Sequence, residues 1–235
     1  VDLIRRAKDK GLNVSAEVTP HHFTLTHHAC EGYNTNAKMN PPLREEADVE
    51  SLQQALKDGT IDVIATDHAP HHYDAKEREF DEAPNGILGL ETAFGLAVSQ
   101  LVRPGLLSLS DLLYRMSTRP AQLFKLPGGS LAPNAPADVV ILDPDVEWTV
   151  DPKAFFSKSR NTPFGGRKVK GRAELSFRFT ELTRTGDSEK YAFKAPAITR
   201  VAEATKKNPW PELGARSAFQ SASSASAQCT SRRPG

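Results

Sequence analysis

Apolar residues of the first sixty positions recur twice with helical spacing. The first such pattern covers residues 2–10, and the second covers residues 45–58. Each pattern ends at a glycine, Gly11 or Gly59, the residue that most often follows the last turn of a helix. The sequence therefore predicts two helices at these positions.

Each predicted helix is followed by a short segment with the pattern of a strand. Residues 12–18, L-N-V-S-A-E-V, alternate apolar and polar side chains, and residues 61–66, I-D-V-I-A-T, form an apolar run. Helices that alternate with strands through short connections predict parallel strands and an α/β fold. In a (β/α) barrel the residues just beyond such strands form the active-site face.

The rest of the chain changes character twice. Another amphipathic helix is predicted from Leu90 to Leu101, and a further one from Asp111 to about Ser117 with Ser110 as its N-cap. From Gly128 onward, turn-rich segments and short strand patterns predict a small β subdomain. The predicted domains are residues 1–127 (barrel part), 128–172 (β subdomain) and 173–235 (a divergent, poorly ordered tail).

Composition restricts the classes of function. The chain has 235 residues and a net charge of +1, which gives no electrostatic case for nucleic acid or membrane partners. Two distant cysteines, Cys30 and Cys229, indicate no disulfide framework and favour a cytoplasmic protein. The first residues already have a helical pattern and no initiator Met, so we expect an incomplete chain.

All seven histidines lie between His21 and His72, close to the two predicted strand ends. Asp67 follows the second strand directly, and carboxylates and neutral imidazoles are good Zn²⁺ ligands. Pro70 prevents the segment D-H-A-P-H from wrapping one ion with three ligands. Asp67 is therefore at best one corner of a metal site, where a carboxylate can also act as a general base, unless it only caps a turn.

Other histidines are weaker candidates. His21 and His22 point in different directions, so at most one of them faces a pocket, and stacking at the barrel rim is an equal alternative. His27 and His28 are predicted at the surface. The rigid loop 36–44, N-A-K-M-N-P-P-L-R, presents an amide and a cation that can bind a polar substrate, or it is simply a stiff connection.

Residues 65–76, A-T-D-H-A-P-H-H-Y-D-A-K, resemble the signature near the last barrel strand of dihydroorotases. The resemblance covers about residues 1–172. Hydantoinases and allantoinases share the fold but differ at this strand. Further similar segments occur in the expected order: A-E-V-T-P-H-H, N-A-K-M-N-P-P-L-R, E-A-P-N-G-I-L-G-L-E-T-A-F, A-P-A-D-V-V-I-L-D-P and S-K-S-R-N-T-P-F.

The resemblance implies a zinc amidohydrolase that interconverts dihydroorotate and N-carbamoyl-L-aspartate in pyrimidine biosynthesis. Asp67 would be a zinc ligand and the general base. Asn40, His71 and the turn at Asn85–Gly86 would bind substrate, although many relatives have an aromatic residue where Asn85 stands. Glu17 and His22 match family positions near the metal.

The resemblance also defines what this sequence lacks. It contains no H-x-H pair of the family's first strand, and the ligands of strands four, five and six are absent. The predicted fold is therefore α/β, a partial (β/α)₈ TIM-type barrel with its last strands and helices and a small C-terminal β subdomain. Eight strands are needed to close such a barrel, so we expect little activity from this chain alone.

Two alternatives remain open at the level of the sequence. One is a scaffold without catalysis that associates with aspartate carbamoyltransferase, and the other is a hydrolase of another cyclic amide, such as an allantoinase or hydantoinase. The expected partner is a small-molecule substrate, and the resemblance also allows a homodimer.

Overall fold

The computed structural model describes residues 1–132, 135–179, 181–184 and 191–194. Its α-helices are Asp2–Asp9 (α1), Glu46–Lys57 (α2), Tyr73–Lys76 (α3), Ala93–Ala97 (α4), Leu109–Leu113 (α5) and Arg119–Phe124 (α6). Its strands are Glu17–Val18 (β1), Val63–Ile64 (β2), Ala137–Thr149 (β3), Lys168–Phe179 (β4), Glu181–Arg184 (β5) and Tyr191–Lys194 (β6). In this part of the chain, no helix has the length and hydropathy that a membrane span requires.

The two predicted strand segments pair side by side, and the pairing is parallel as predicted. Glu17 lies opposite Val63, and Val18 lies opposite Ile64. Backbone bonds extend the contact at both ends, because the Asp62 N–H donates to the Ala16 carbonyl and the Ala65 N–H donates to the Val18 carbonyl. Helices α1 and α2 precede these strands, so the α/β prediction is confirmed.

The helical region after Leu107 differs from its prediction in two ways. Ser108, not Ser110, caps α5: its Oγ accepts from the Asp111 N–H, and the Asp111 side chain accepts from the Ser108 N–H. The helix also does not stop near Ser117. It continues through a π-helical turn, Tyr114–Thr118, into α6, and this wider turn precedes Pro120, which has no N–H to donate.

Buried apolar side chains form two clusters. The first joins the strand pair to α2, α4 and α5 and contains Val18, Phe23, Ala55, Leu56, Ile61, Ile64, Ala97, Val98, Leu101, Leu107 and Leu112. The second underlies the loops after the strands and contains Ala37, Met39, Leu43, Ile87, Leu88, Leu96, Val150, Phe155, Phe164 and Val169. The second cluster gives these loops a rigid base.

The chain divides into two compact units. One contains Val1–Ala135 and Leu142–Ala173, and the other contains Pro136–Ile141 and Glu174–Gly235. Strands β3 and β4 form a two-stranded sheet, and β5 and β6 form an antiparallel hairpin. The prediction of a poorly ordered tail falls mostly on residues outside those that the structure describes, and the predicted domain boundaries stay a prediction.

Candidate active site

Asp67 lies three residues beyond β2, with an exposed side chain and a backbone in the left-handed region, at φ 47°. Aspartate is one of the few residues that tolerate this conformation, which is enriched at functional sites. Among the described residues, none donates a hydrogen bond to the Asp67 carboxylate. Its oxygens are therefore free to coordinate an ion or to accept a proton.

His68 supports the segment that follows Asp67. Its backbone forms an isolated parallel bridge with Ile87, and its Nδ1 accepts hydrogen bonds from the backbone N–H groups of Gly89 (3.1 Å) and Leu90 (3.4 Å). These bonds join the loop after β2 to residues 87–90. His68 therefore joins the two loops through backbone contacts of its ring.

Three residues predicted to bind substrate lie together. The His71 Nε2 donates to the Asn85 carbonyl at 2.8 Å, which fixes the plane of the ring and leaves Nδ1 available. Gly86 has φ 111°, and a Cβ there would lie 2.5 Å from the Cβ of Ala69 and 3.4 Å from the His71 Nε2. Only glycine fits at this position, because a side chain would push the His71 segment away.

Asn40 lies in a second loop that is joined to the first. Its side chain is exposed, whereas Met39 and Leu43 in the same loop are buried. The Gly86 N–H donates to the Lys38 carbonyl at 3.0 Å. This backbone bond lies only two residues from Asn40. The loop is thus held next to the Asn85–Gly86 turn.

His22 and His21 have different surroundings, as expected for adjacent residues. The His22 Nε2 donates to the Pro41 carbonyl at 2.8 Å, and the Thr19 hydroxyl donates to His22 Nδ1 at 2.7 Å. His21 is buried, and burial together with the neighbouring His22 lowers its pKa to about 3. His21 is therefore a neutral core residue, whereas His22 supports the Asn40 loop.

Lys76 and Asn161 belong to this site, although reasoning from the sequence gave neither of them a role. The Lys76 Nζ is buried and donates to the carbonyls of Pro84 (2.9 Å) and Gly86 (3.2 Å). The Asn161 side chain is buried as well and also bonds to the Gly86 carbonyl, at 3.2 Å. Both residues hold the turn that carries Asn85.

Stability should depend on pH through Lys76. Burial, and secondarily the charge of Lys38, lower the pKa of Lys76 to about 8, whereas the unfolded chain keeps a pKa near 10.5. Between these values the unfolded state binds more protons, so stability rises with pH. We compare the free energies of unfolding of the wild type and Lys76→Met in urea titrations. From about pH 7 to about pH 9.5, the difference between them should shift by about 2 kcal/mol in favour of the wild type.

The exposed Lys158 is the matched control for this experiment. The difference between the wild type and Lys158→Met should stay flat across the same pH range. If the difference between the wild type and Lys76→Met were also independent of pH, burial of the Lys76 ammonium would not destabilise the folded state.

The donor groups at this site fit part of a metal centre. Within the described residues, no group of three or more His, Cys, Asp and Glu side chains is placed to hold an ion. The Nε2 atoms of His22 and His71 are already bonded to carbonyl groups. Asp67 can thus contribute one oxygen ligand, and further ligands would have to come from elsewhere.

Residues 3–172 match the model of the amidohydrolase family. This range agrees with the extent of about residues 1–172 that the sequence motifs indicate. Metal dependence is general in this family.

Curated relatives named dihydroorotase are similar over most of this range. The Syntrophotalea carbinolica protein is 56% identical over 173 residues, which are 74% of this chain and 40% of the relative. The Ruminiclostridium cellulolyticum protein is 54% identical over 176 residues, or 75% of this chain and 41% of the relative. The chain spans about two fifths of the length of these relatives.

Solved structures with the same fold include hydantoinases. The L-hydantoinase (dihydropyrimidinase) from Arthrobacter aurescens superposes with a TM-score of 0.70 at 33% identity, over 75% of this chain and 40% of that protein. The dihydropyrimidinase from Brevibacillus agri gives a TM-score of 0.69 at 29% identity, over 74% of this chain and 40% of that protein.

Proposed function

Because this chain belongs to the amidohydrolase family, we propose that it forms the part of a dihydroorotase that carries the last two barrel strands and their loops. The enzyme would interconvert dihydroorotate and N-carbamoyl-L-aspartate in pyrimidine biosynthesis. The observation that carries this proposal is the joined surface of His71, Asn85 and Gly86 next to the strand end that bears the open Asp67 carboxylate. The identity of 56% to a relative named dihydroorotase supports the choice of substrate.

In this proposal β1 and β2 are the seventh and eighth strands of a (β/α)₈ barrel. Their parallel pairing and the preceding helices α1 and α2 support that placement. The active-site face of such a barrel lies at the carboxyl ends of the strands, where Asp67 stands. The remaining strands and metal ligands would come from the portion of the relatives that this chain does not span.

Asp67 would act as a ligand and as the general base. The metal, proposed to be zinc, supplies Lewis-acid chemistry that acidifies water and polarises the ring amide. In the hydrolytic direction the Asp67 carboxylate accepts a proton from the attacking water, and the new C–O bond forms at the amide carbon. As the C–N bond breaks, the Asp67 carboxylic acid returns this proton to the leaving nitrogen.

The loops would hold the substrate. Because His71 uses Nε2 to donate to the Asn85 carbonyl, its Nδ1 is available as an acceptor for the substrate. The exposed amides of Asn40 and Asn85 can donate to a substrate carboxylate or carbonyl. The two amides would bind an anionic substrate by directed hydrogen bonds.

A grafted enzyme tests the proposal. Residues 3–172 of this chain would replace the matching segment of the Syntrophotalea carbinolica relative, and dihydroorotate hydrolysis would be measured with one to two equivalents of zinc. We expect turnover within about tenfold of the parent relative, because the residues that define the site are present in the graft. A folded, zinc-loaded graft without turnover would refute the proposal.

Hydantoinase activity is a second candidate, favoured by the TM-score of 0.70 to the Arthrobacter aurescens enzyme. The identity to that enzyme is 33%, against 56% to the relative named dihydroorotase. A panel of dihydroorotate, hydantoin, dihydrouracil and allantoin, assayed on the grafted enzyme, separates the candidates. A kcat/KM that is higher for hydantoin than for dihydroorotate would favour the second one.

A further inference from the structure

The side chain of Asn161 spans two loops that are far apart in the sequence. Its Oδ1 accepts from the His71 N–H at 3.2 Å, and its Nδ2 donates to the carbonyls of Ala69 (2.9 Å) and Gly86 (3.2 Å). Its own carbonyl accepts from the Leu88 N–H at 2.9 Å. With a relative exposure of 4%, the residue makes these bonds away from water.

The bonds of Asn161 lie where the backbone pairing between the two loops ends. His68 and Ile87 form a parallel bridge, and the Ala69 N–H donates to the Ile87 carbonyl at 2.8 Å. Beyond this point no backbone bond links the two segments directly within the described residues. The next backbone groups are the Ala69 carbonyl, the Gly86 carbonyl and the His71 N–H, and all three bond to the amide of Asn161. The Gly86 carbonyl also accepts from the Lys76 Nζ.

The amide itself is held by the protein core. Asn161 and Thr162 are buried, and Phe164, two residues further on, is 1% exposed in the second apolar cluster. The Thr162 hydroxyl accepts from the Phe164 N–H at 3.3 Å, which tightens this turn. The amide therefore has little freedom to follow the loops if they move.

We propose that Asn161 is a positioning residue for substrate binding: it holds the His71 ring and the Asn85–Gly86 turn in one fixed surface. The inference rests on the function proposed above for this surface. The residue type is specific, because only an amide can donate to two carbonyls and accept from an N–H at the same place. An aspartate has nearly the same shape but would set an oxygen against the carbonyls of Ala69 and Gly86.

The first measurement uses the full 235-residue chain and needs no activity. In the wild type, the ¹⁵N shifts of the His71 ring should report one fixed tautomer with the proton on Nε2. In Asn161→Asp and Asn161→Ala the turn is released, so the two ring nitrogens should average, and in Asn161→Ala the His71 amide should exchange at least about tenfold faster. Asn13→Asp, an exposed site, is the control and should change neither signal.

The second measurement uses the grafted enzyme. Asn161→Asp should raise KM for dihydroorotate at least about tenfold while kcat stays within about threefold, because the misplaced groups bind substrate and do not move its proton. A residue with a merely structural role would lower the folded fraction, so kcat would fall and KM would not change.

A fixed His71 ring in both Asn161 variants, or an unchanged KM for Asn161→Asp, would overturn the inference. Failure of the proposed function gives a different result, which is a wild-type graft without turnover. In that case the ring tautomer in the 235-residue chain alone decides whether Asn161 positions the surface. Asn161→Asp keeps the shape of the side chain. If Asn161→Ala does not fold, the ring tautomer and KM can therefore still be measured with Asn161→Asp.

Discussion

Replacing Asp67 with asparagine in the grafted enzyme is expected to lower kcat for dihydroorotate at least about 1,000-fold, because the proposed general base and metal ligand would be lost together. The exposed carboxylate has no hydrogen-bond donor among the described residues, so the substitution removes no internal contact there. The circular dichroism spectrum and the melting temperature of the zinc-free protein should therefore stay unchanged, whereas the zinc content should fall. The measurements are steady-state kinetics and the zinc content of the purified protein.

Two control variants make this result specific. Asp9→Asn changes an exposed carboxylate in α1 and should leave kcat and zinc content as they are. His71→Ala removes a proposed substrate contact and should raise KM more than it lowers kcat. If Asp67→Asn kept kcat within about tenfold of the wild type, its assignment as general base would be wrong.

The position of Asp67 could be predicted because the signal is local. An apolar strand run that ends in an aspartate and histidines needs no knowledge of distant residues. The same reasoning placed the parallel strands correctly, since helix and strand patterns alternate along the chain.

Asn161 could not be found in this way. Its partners His71, Ala69 and Gly86 lie 90, 92 and 75 positions away, and a lone Asn before Thr162 has no periodicity that indicates burial. Only the folded chain brings these groups together. The resemblance marked the segment S-K-S-R-N-T-P-F but assigned no role to its asparagine.

The sequence does contain a signal for the correct N-cap of α5. Ser108 and Ser110 are both plausible caps, but only Ser108 is followed three residues later by an acidic residue, Asp111, which completes a capping box. The serine at position 110 is followed three residues later by Leu113. This spacing predicts a helix that begins at Leu109.

Asp62 also had a signal in the sequence, as the one charged residue within the apolar run I-D-V-I. Its side chain is 7% exposed and bonds to the Lys8 Nζ at 2.7 Å, the Arg119 Nη2 at 2.9 Å and the Ala16 N–H at 3.1 Å. Burial by itself would raise the pKa of Asp62, but the bonds from Lys8, Arg119 and Ala16 outweigh it and lower the pKa. Asp62 thus ties α1 and α6 to the strand pair at the end opposite Asp67.

Replacing Asp62 with alanine in the 235-residue chain should lower the free energy of unfolding by about 3 kcal/mol at neutral pH. The variant leaves the cations of Lys8 and Arg119 without their shared carboxylate. Because the folded pKa is depressed, the stability that Asp62 contributes is present above its unfolded pKa and is lost as pH falls through the folded pKa. The difference between wild type and variant, measured by urea titration, should therefore shrink in acid.

Asp145→Ala is the matched control, because Asp145 also pairs with an arginine, Arg103, but is 80% exposed. Water and salt screen such a pair, so its loss should change stability little. The comparison sets a buried aspartate with three partners against an exposed aspartate that pairs with one arginine. Equal losses for the two variants would mean that the pairing of Asp62 is no stronger than a surface contact.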